Sequence, residues 1–248
     1  MSEAGGEVAI ITGGTRGIGA AIAANLAGRG TRLVLNGRER DAEVEATIAG
    51  LKGKAEFEVH FGDASDPATS AALVALARDR FGRVDYLVPA AGGPAFGTIL
   101  DHSTESWEAA FRIHIHAIFH LFRAAHPLLK VRGGAMLMIG SVAGVRGVPG
   151  AAVYATVKGA LPNMARALAR DHAQENIRVN VIEPGIIRTR FHAKMTPEAE
   201  RNNLDNRVPL KRFGTPEQVA TASVELLTNP YITGETLVID GGLSMRVV

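Results

Sequence analysis

Short apolar runs alternate along the whole chain with longer segments in which apolar residues recur at the period of a helical turn. A continuous apolar run of about four to eight residues is typical of a strand buried on both faces of a sheet. The runs predicted as strands are residues 8–11, 32–35, 57–60, 85–88, 135–140, 178–182 and 236–240. The segments predicted as helices are residues 17–28, 42–51, 67–81, 105–129, 151–171 and 216–227.

This alternation predicts the α/β class, because parallel strands need crossover connections, and these are usually helical. Right-handed crossovers then place helices on both faces of a doubly wound, Rossmann-like parallel sheet. No repeat, linker or shift in composition marks a second domain, so residues 1–248 are predicted to form a single domain. The polar stretch at about 188–212 is predicted to be a mobile lid over the substrate.

Composition narrows the classes of function. The chain has 248 residues, no cysteine and a net charge of +2. The lack of cysteine excludes a disulfide scaffold, a zinc–thiolate site and a cysteine nucleophile. Basic residues are scattered, so neither a nucleic acid nor a membrane surface is an expected partner. The start of the sequence does not resemble a signal peptide and no apolar run is long enough to span a bilayer, so a cytoplasmic location is expected.

A glycine-rich segment joins the first predicted strand to the first predicted helix. Its spacing, Gly-x3-Gly-x-Gly, differs from both the common G-x-G-x-x-G fingerprint and the P-loop. Glycines here let the backbone approach a pyrophosphate, which the helix N-terminus then binds. The segment therefore predicts a dinucleotide site with the candidate contacts Gly13, Thr15, Arg16, Gly17, Ile18 and Gly19.

The end of the second strand bears on the choice of cofactor. An NAD-binding fold usually has an acidic residue here, which binds the ribose 2′-hydroxyl. This chain has Gly37 followed by Arg38, and Arg16 in the glycine segment is expected to reach the same place. Because guanidinium groups match phosphate geometry, the sequence predicts that NADP(H) is preferred over NAD(H).

Three further residues form a candidate catalytic group. Tyr154 and Lys158 are four residues apart and lie on one face of a predicted helix. The ammonium is expected to lower the pKa of the tyrosine, which would make the phenol a proton donor and acceptor near neutral pH. Ser141 follows the fifth strand, at the carboxyl edge where doubly wound sheets bind ligands.

With these residues in place, almost the whole chain resembles the classical short-chain dehydrogenase/reductase family. The segments that carry the resemblance are residues 12–19, 139–141, 154–158, 180–185, 212–217, 231–234 and 240–242. The resemblance implies hydride transfer between a nicotinamide and the carbon of an alcohol or ketone. It implies that Tyr154 exchanges the proton with the substrate oxygen, that Ser141 orients that oxygen, and that Lys158 binds the nicotinamide ribose.

The resemblance also implies further cofactor contacts. Asp63 matches the residue that contacts adenine, and Ala91 and Gly92 belong to the cofactor-binding loop after the fourth strand. The residues expected to flank the nicotinamide are Pro184, Gly185, Ile187 and Thr189.

The chain departs from the family pattern in two places. Pro89 and Ala90 replace two asparagines that brace the sheet in the family. The loss of their hydrogen bonds is expected to make the chain after the fourth strand less rigid. His114 stands where the family has a catalytic asparagine that holds a water of the proton relay. Histidine both donates and accepts hydrogen bonds, so it is a candidate for that role, with a new pH dependence.

Other functions stay open at this point. His116 and His120 share a helical face, but the neighbouring sequence offers no carboxylate ligand, and no metal is predicted. Ser141 lacks the G-x-S-x-G elbow of a hydrolase nucleophile. Because of the two departures, an alternative of another class is a nucleotide-binding scaffold protein with weak or no turnover.

Within the enzyme interpretation, a small alcohol or ketone is the expected substrate. The residues expected to make its pocket mainly apolar are Val142, Val145, Val148, Ile186 and Phe191. A 3-ketoacyl reductase acting on acyl-carrier-protein or CoA thioesters is the alternative, and it would need a basic docking patch. Lys130 and Arg132 are candidates for that patch, whereas Glu175 stands where carrier-binding relatives have a base.

The resemblance further implies a homotetramer. Pairing is expected through the two long helices, residues 105–129 and 151–171, and through the last strand. Apolar side chains such as Ile115, Phe119 and Phe122 would otherwise lie on a helix with little to cover them.

Overall fold

The computed structural model describes residues 6–193 and 195–245, and its strands form one sheet. The strands are β1 Val8–Thr12, β2 Arg32–Gly37, β3 Phe57–Phe61, β4 Tyr86–Pro89, β5 Gly134–Ile139, β6 Ile177–Pro184 and β7 Thr236–Ile239. Every pairing is parallel, and the strand order is β3-β2-β1-β4-β5-β6-β7. The order reverses between β1 and β4, which creates a crevice at the carboxyl edge of the sheet.

Helices cover both faces of this sheet. They are α1 Gly17–Ala27, α2 Ala42–Leu51, α3 Pro67–Phe81, α4 Thr104–Phe111, α5 Ala117–Leu129, α6 Val142–Val145, α7 Ala152–Asp171, α8 Pro197–Asn202 and α9 Pro216–Thr228. One apolar layer packs α3, α5 and α7 on the sheet, and a second packs α1 and α9 on the opposite face. The predicted doubly wound α/β fold is therefore confirmed.

Local sequence explains where several helices begin and end. The side chain of Asp41 accepts a hydrogen bond from Val44 N at the start of α2, and Asp66 does the same for Ala68 N before Pro67 opens α3. Gly82, with a φ of 73°, ends α3 in the left-handed region that favours glycine. Thr215 and Gln218 form a capping box at α9.

The single helix predicted over residues 105–129 is interrupted. A π-helical turn, Arg112–His116, lies between α4 and α5 and adds one wide turn to the helical stretch. Side-chain periodicity alone does not distinguish this turn from regular helix, because the segment stays helical throughout. π-turns are frequent at functional sites, and this one contains His114.

The predicted lid at 188–212 contains more regular structure than its polar sequence indicated. It holds the short turns Arg190–His192 and Asn203–Arg207 together with α8, whose first turn is capped by Thr196. Residues 1–5, for which the sequence predicts no signal peptide, lie outside the described residues. Within the described ranges, no helix is both long and apolar enough to cross a membrane.

Candidate active site

One cleft of about 910 Å³ at the carboxyl edge of the sheet brings together all the predicted site residues. These are Gly13, Thr15, Arg16, Gly17, Ile18, Gly19, Arg38, Asp63, Ala91, Gly92, His114, Ser141, Tyr154, Lys158, Pro184, Gly185, Ile187 and Thr189. They come from six different strand ends and the helices that follow, so the parallel topology gathers them in one place.

The turn from β1 to α1 forms a cradle that only glycine permits. Gly13 has a φ of 62°, and a Cβ there would lie 2.9 Å from the backbone of Ala91. A Cβ on Gly19 would lie 2.3 Å from the carbonyl oxygen of Gly13. No described side chain caps α1, and its first residues line the cleft, so their N–H groups are available there to an anion. The cradle therefore fits the pyrophosphate of a nicotinamide dinucleotide.

The loop after β4 is hydrogen-bonded to β1 although Pro89 and Ala90 replace the two asparagines. Ala90 N donates to the carbonyl of Thr12 at 3.1 Å, and Ala91 N donates to the Thr12 hydroxyl at 3.3 Å. These backbone donors hold the loop against β1 without the two asparagine side chains of the family pattern.

The adenosine end of the cleft is built on the ends of β2 and β3. The Asn36 amide donates to the carbonyl oxygens of His60 and Gly62 at 3.3 and 3.0 Å, which fixes the two strand ends together. Asp63 accepts from both the N–H and the hydroxyl of Ser65 at 2.8 Å, and these bonds lower the pKa of its carboxyl. Asp63 is therefore held as an anion on the rim.

The two arginines expected at the 2′-phosphate position differ in their surroundings. Arg16 pairs with Asp41 at 2.5 Å, and Arg190 of the lid pairs with the same carboxylate at 2.8 Å. Arg38 is exposed on the rim and forms no ion pair within the described part of the chain. Arg16 is therefore paired with a carboxylate, which the sequence did not indicate. Arg38 faces the cleft near Asp63, whose pKa its charge helps to lower, but forms no ion pair with it.

Ser141, Tyr154 and Lys158 meet where α6 and α7 begin over β5. The Ser141 hydroxyl hydrogen-bonds to the phenol of Tyr154 and also caps α6 by accepting from Ala143 N at 3.2 Å. The Lys158 ammonium donates to the carbonyl of Ile139 at 2.7 Å and lies 5.7 Å from the centroid of the Tyr154 ring.

The predicted lowering of the Tyr154 pKa is wrong for this structure. Burial raises the pKa of Tyr154 to about 12, and the hydrogen bond from Ser141 offsets this only in part. Burial also lowers the pKa of Lys158 to about 8. Removing both groups from water disfavours the phenolate and the ammonium alike, and this desolvation is the largest cause of both shifts.

His114 is buried against this group from the π-turn. Its ring lies edge-to-face with Tyr154 at 5.7 Å, and its Nε2 is 3.0 Å from the carbonyl oxygen of Gly93. Because a carbonyl only accepts, Nε2 carries the proton and Nδ1 is an acceptor, with no partner among the described residues. A Cβ on Gly92 would lie 2.5 Å from the imidazole, so this glycine makes room for the ring.

Burial and the nearby Lys158 ammonium together lower the pKa of His114 to about 3. The imidazole is therefore neutral throughout the ordinary pH range, which corrects the expectation of an accessible pH dependence.

The substrate end of the cleft is lined by several apolar side chains, with His192 beside Phe191. Val142, Val148, Ile186 and Phe191 are among the lining residues, whereas Val145 is not and points outward. Phe96 was not anticipated: its ring lies 5.7 Å from that of Phe191 and 6.3 Å from that of Tyr154. The only sequence signal for it is a lone aromatic residue in the Gly-rich loop after β4.

Known proteins resemble this sequence over almost its whole length. The family model described as enoyl-(acyl carrier protein) reductase matches residues 13–244. Carbonyl reductase family member 4 of Danio rerio is 35% identical over 238 residues, which cover 96% of this chain and 98% of that protein. The 3-oxoacyl-[acyl-carrier-protein] reductase of Homo sapiens is 35% identical over 240 residues, with the same coverage of 96% and 98%.

A solved structure gives the same result. L-sorbose reductase from Gluconobacter frateurii, complexed with NADPH and L-sorbose, superposes with a TM-score of 0.90 at 30% identity and covers 98% of both chains. The family model spans nearly the whole chain, and the relatives match over almost their full length. The chain therefore belongs to the short-chain dehydrogenase/reductase family of oxidoreductases.

Proposed function

We propose that the protein is an NADP(H)-dependent oxidoreductase that interconverts a small, mainly apolar secondary alcohol and its ketone. The observation that carries the proposal is the grouping of Ser141, Tyr154 and Lys158 beside the glycine cradle in one cleft. When bound, the nicotinamide supplies or accepts the hydride. The protein's own side chains then have to hold the substrate oxygen and move its proton.

Each of the three residues has a distinct task in this proposal. Tyr154 is protonated near neutral pH, so in the reductive direction it donates its proton to the carbonyl oxygen. Ser141 hydrogen-bonds to the phenol and orients the same oxygen. Lys158 would hold the nicotinamide ribose, and its ammonium would stabilise the tyrosinate that the proton transfer leaves behind.

The proposed preference for NADP(H) rests on the end of β2. Gly37 offers no carboxylate to the ribose 2′-hydroxyl, and a Cβ there would lie 2.8 Å from the Thr15 hydroxyl. Arg38 on the rim is the primary candidate for the 2′-phosphate, and Arg16 would contribute if it exchanges Asp41 for the phosphate. The NADPH complex of the Gluconobacter frateurii relative supports the same choice.

A 3-oxoacyl thioester is the second candidate substrate, because relatives named for that reaction match over nearly their full length. The position of the candidate docking residues argues against a thioester substrate. Lys130 and Arg132 follow α5 and precede β5, which places them at the amino edge of the sheet. They do not border the cleft of their own chain, so we favour the free alcohol or ketone.

A substrate panel with both cofactors tests the proposal. Turnover is followed at the reduced-nicotinamide absorbance band with small apolar ketones, their alcohols and a 3-oxoacyl thioester. We expect turnover of the ketones with NADPH, and exclusive activity on the thioester would favour the second candidate. Absence of turnover on every substrate would favour a nucleotide-binding scaffold protein.

Two variants address the cofactor separately. Arg38→Asp is expected to weaken NADPH binding and reverse the preference, because the new carboxylate repels the 2′-phosphate. Arg40→Asp is the matched control, since Arg40 is exposed but points toward Glu45 and does not line the cleft. NADH binding as tight as NADPH binding in the parent protein would contradict the proposed preference.

A further inference from the structure

Three ligand-type side chains from two segments meet at the edge of the sheet opposite the cleft. They are His126 near the end of α5, His172 at the end of α7, and Glu175 in the short turn Ala173–Glu175 that leads into β6. Their ligand atoms all lie within 4.8 Å of one another. Helices in this fold run opposite to the strands, so the helix ends lie at the amino edge of the sheet, away from Tyr154.

One carboxylate oxygen holds the two imidazoles together. Glu175 Oε2 lies 2.8 Å from His126 Nε2 and 2.6 Å from His172 Nδ1. Since a carboxylate only accepts, the facing nitrogens both carry protons in this arrangement. A divalent cation can take the place of those two protons if each imidazole keeps its proton on the other nitrogen.

The backbone presets this geometry. His172 and Glu175 are three residues apart across a 3₁₀ turn, in which such positions lie directly above one another. The turn is closed by Ile177 N, which donates to the carbonyl of His172, and by Asn176, whose φ is 55°. His126 is brought in by α5, and its ring lies 5.0 Å from that of His172.

The surroundings give the cluster a dry side and an open side. The Phe122 ring packs on both imidazoles, at 5.9 Å from His126 and 5.0 Å from His172. The side chains of His126, His172 and Glu175 are nevertheless 25, 22 and 33% exposed in the single chain, so a cation and a water ligand can reach them there.

We propose that His126, His172 and Glu175 form a binding site for a zinc-type divalent cation, with water as the fourth ligand. Two imidazoles and one carboxylate are a donor set that suits Zn²⁺ rather than Mg²⁺ or Ca²⁺. Tetrahedral zinc with bonds of about 2.1 Å separates its ligand atoms by roughly 3.4 Å. The carboxylate oxygen therefore has to move away from each imidazole nitrogen by less than about 1 Å. The two imidazole nitrogens, which lie within 4.8 Å of each other, have to settle at the same spacing.

We infer that a zinc ion at this site would have a structural role. Zinc would join α5 to the turn between α7 and β6, two segments that the chain separates by more than forty residues. The proposed zinc site does not depend on the proposed function, because it lies at the opposite edge of the sheet from Ser141, Tyr154 and Lys158. His116 and His120, which share a helical face in the sequence, take no part in the cluster.

Zinc titration of the untagged full chain tests the proposal by calorimetry and thermal melting. We expect one Zn²⁺ per chain and a rise in Tm of roughly 5–10 °C at about 100 times the Kd, reversed by a chelator. His172→Asn and Glu175→Gln are expected to weaken binding at least tenfold, whereas the control His116→Asn, an exposed histidine outside the cluster, is expected to bind as the parent does.

Two results would overturn the proposal. One is the absence of saturable zinc binding in the parent, in which case the cluster is a hydrogen-bonded structural triad only. The other is equal binding by the parent, His172→Asn and His116→Asn, which would mean adsorption to scattered histidines. Glu175→Gln keeps the shape of the side chain, and circular dichroism without metal verifies that each variant is folded before it is titrated.

Discussion

Burial determines the charge of the residues at the bottom of the cleft. It raises the pKa of Tyr154 to about 12, lowers that of Lys158 to about 8 and contributes most to lowering that of His114 to about 3. All three shifts favour the neutral form, as expected for groups removed from water. A neutral phenol beside a neutral imidazole is suited to proton exchange with a substrate oxygen.

Replacing Tyr154 by Phe removes the proton donor but keeps the ring that packs on Phe96 and Phe191. We expect kcat to fall at least about 100-fold, in line with the usual contribution of a positioned acid or base. NADPH affinity, measured by fluorescence titration, should change little. Tyr231→Phe is the control, because Tyr231 is 96% exposed and outside the cleft. A Tyr154→Phe enzyme within tenfold of the parent would show that the proton comes from another group.

His114 is proposed to hold a water of the proton relay through Nδ1, the buried acceptor next to Tyr154. Because its pKa is about 3, its protonation limb lies below the usable pH range. We expect His114→Asn to keep most of the activity with an unchanged pH–rate profile between pH 5 and 9. His114→Ala, which has no acceptor, should lower kcat about tenfold or more.

One outcome would count against this role for His114, and another would contradict its neutral state. Full activity in His114→Ala would mean that the ring only fills space beside Gly92. An acidic limb near pH 6 that His114→Asn removes would mean that the imidazole titrates far above the value that its burial indicates. His116→Asn, on the same helical stretch but exposed, controls for loss of a histidine in general.

At the scale of elements, hydrophobic periodicity predicted every strand and the major helices, because each buries a continuous run or a single face. It did not predict the π-turn at Arg112–His116, where backbone hydrogen bonds join residues five apart instead of four apart. Nor did it predict α6, whose four residues are too few to show a period. Motif spacing located the candidate cleft. It did not predict the ion pair between Arg16 and Asp41, because that pair depends on how the starts of α1 and α2 lie relative to each other.

Burial also changes the pKa of Glu183, in strand β6. Alternation along the strand puts Glu183 on the same face as Val181, where its Cγ packs closely on Gly140. The side chain is fully buried, and neither carboxylate oxygen has a partner among the described residues. Desolvation raises the pKa of Glu183 from 4.5 to about 7. Between these two pH values the folded protein holds a proton that the unfolded chain would release.

A raised pKa makes the protein less stable as pH rises from the unfolded value, near 4.5, to the folded value, near 7. Glu183→Gln removes this dependence, since the amide does not titrate. We expect the free energy of unfolding of the variant, relative to the parent, to be higher at pH 8 than at pH 5 by about 2–3 kcal/mol. Urea denaturation at the two pH values measures it, with the exposed Glu56→Gln as control. Parallel pH dependences of parent and Glu183→Gln would show that Glu183 is not protonated.

The whole molecule leaves apolar surface exposed on two different faces. A groove of about 420 Å³ lies between α5 and α7 and is lined by Ile118, Phe122, Met164 and Leu168, among others. His126 and His172 of the proposed zinc site also line it, so pairing through this groove would bring the partner subunit beside that site. Phe119 on its rim is 48% exposed. On the other face, the edge strand β7 exposes Leu237 and Val238 to 39 and 38%. Soluble chains rarely leave such patches and strand edges uncovered.

Two separate self-complementary surfaces generate a tetramer, since each supports its own twofold axis. We therefore expect light scattering at micromolar concentration to give four times the chain mass of 26.1 kDa. Phe119→Glu should disrupt pairing through the α5–α7 groove, and Val238→Lys should disrupt pairing through β7, each leaving a dimer. Leu100→Glu, which changes a 91% exposed leucine outside both surfaces, should remain a tetramer. A monomeric parent would contradict the expectation, and a tetramer that survives both substitutions would place its interfaces elsewhere.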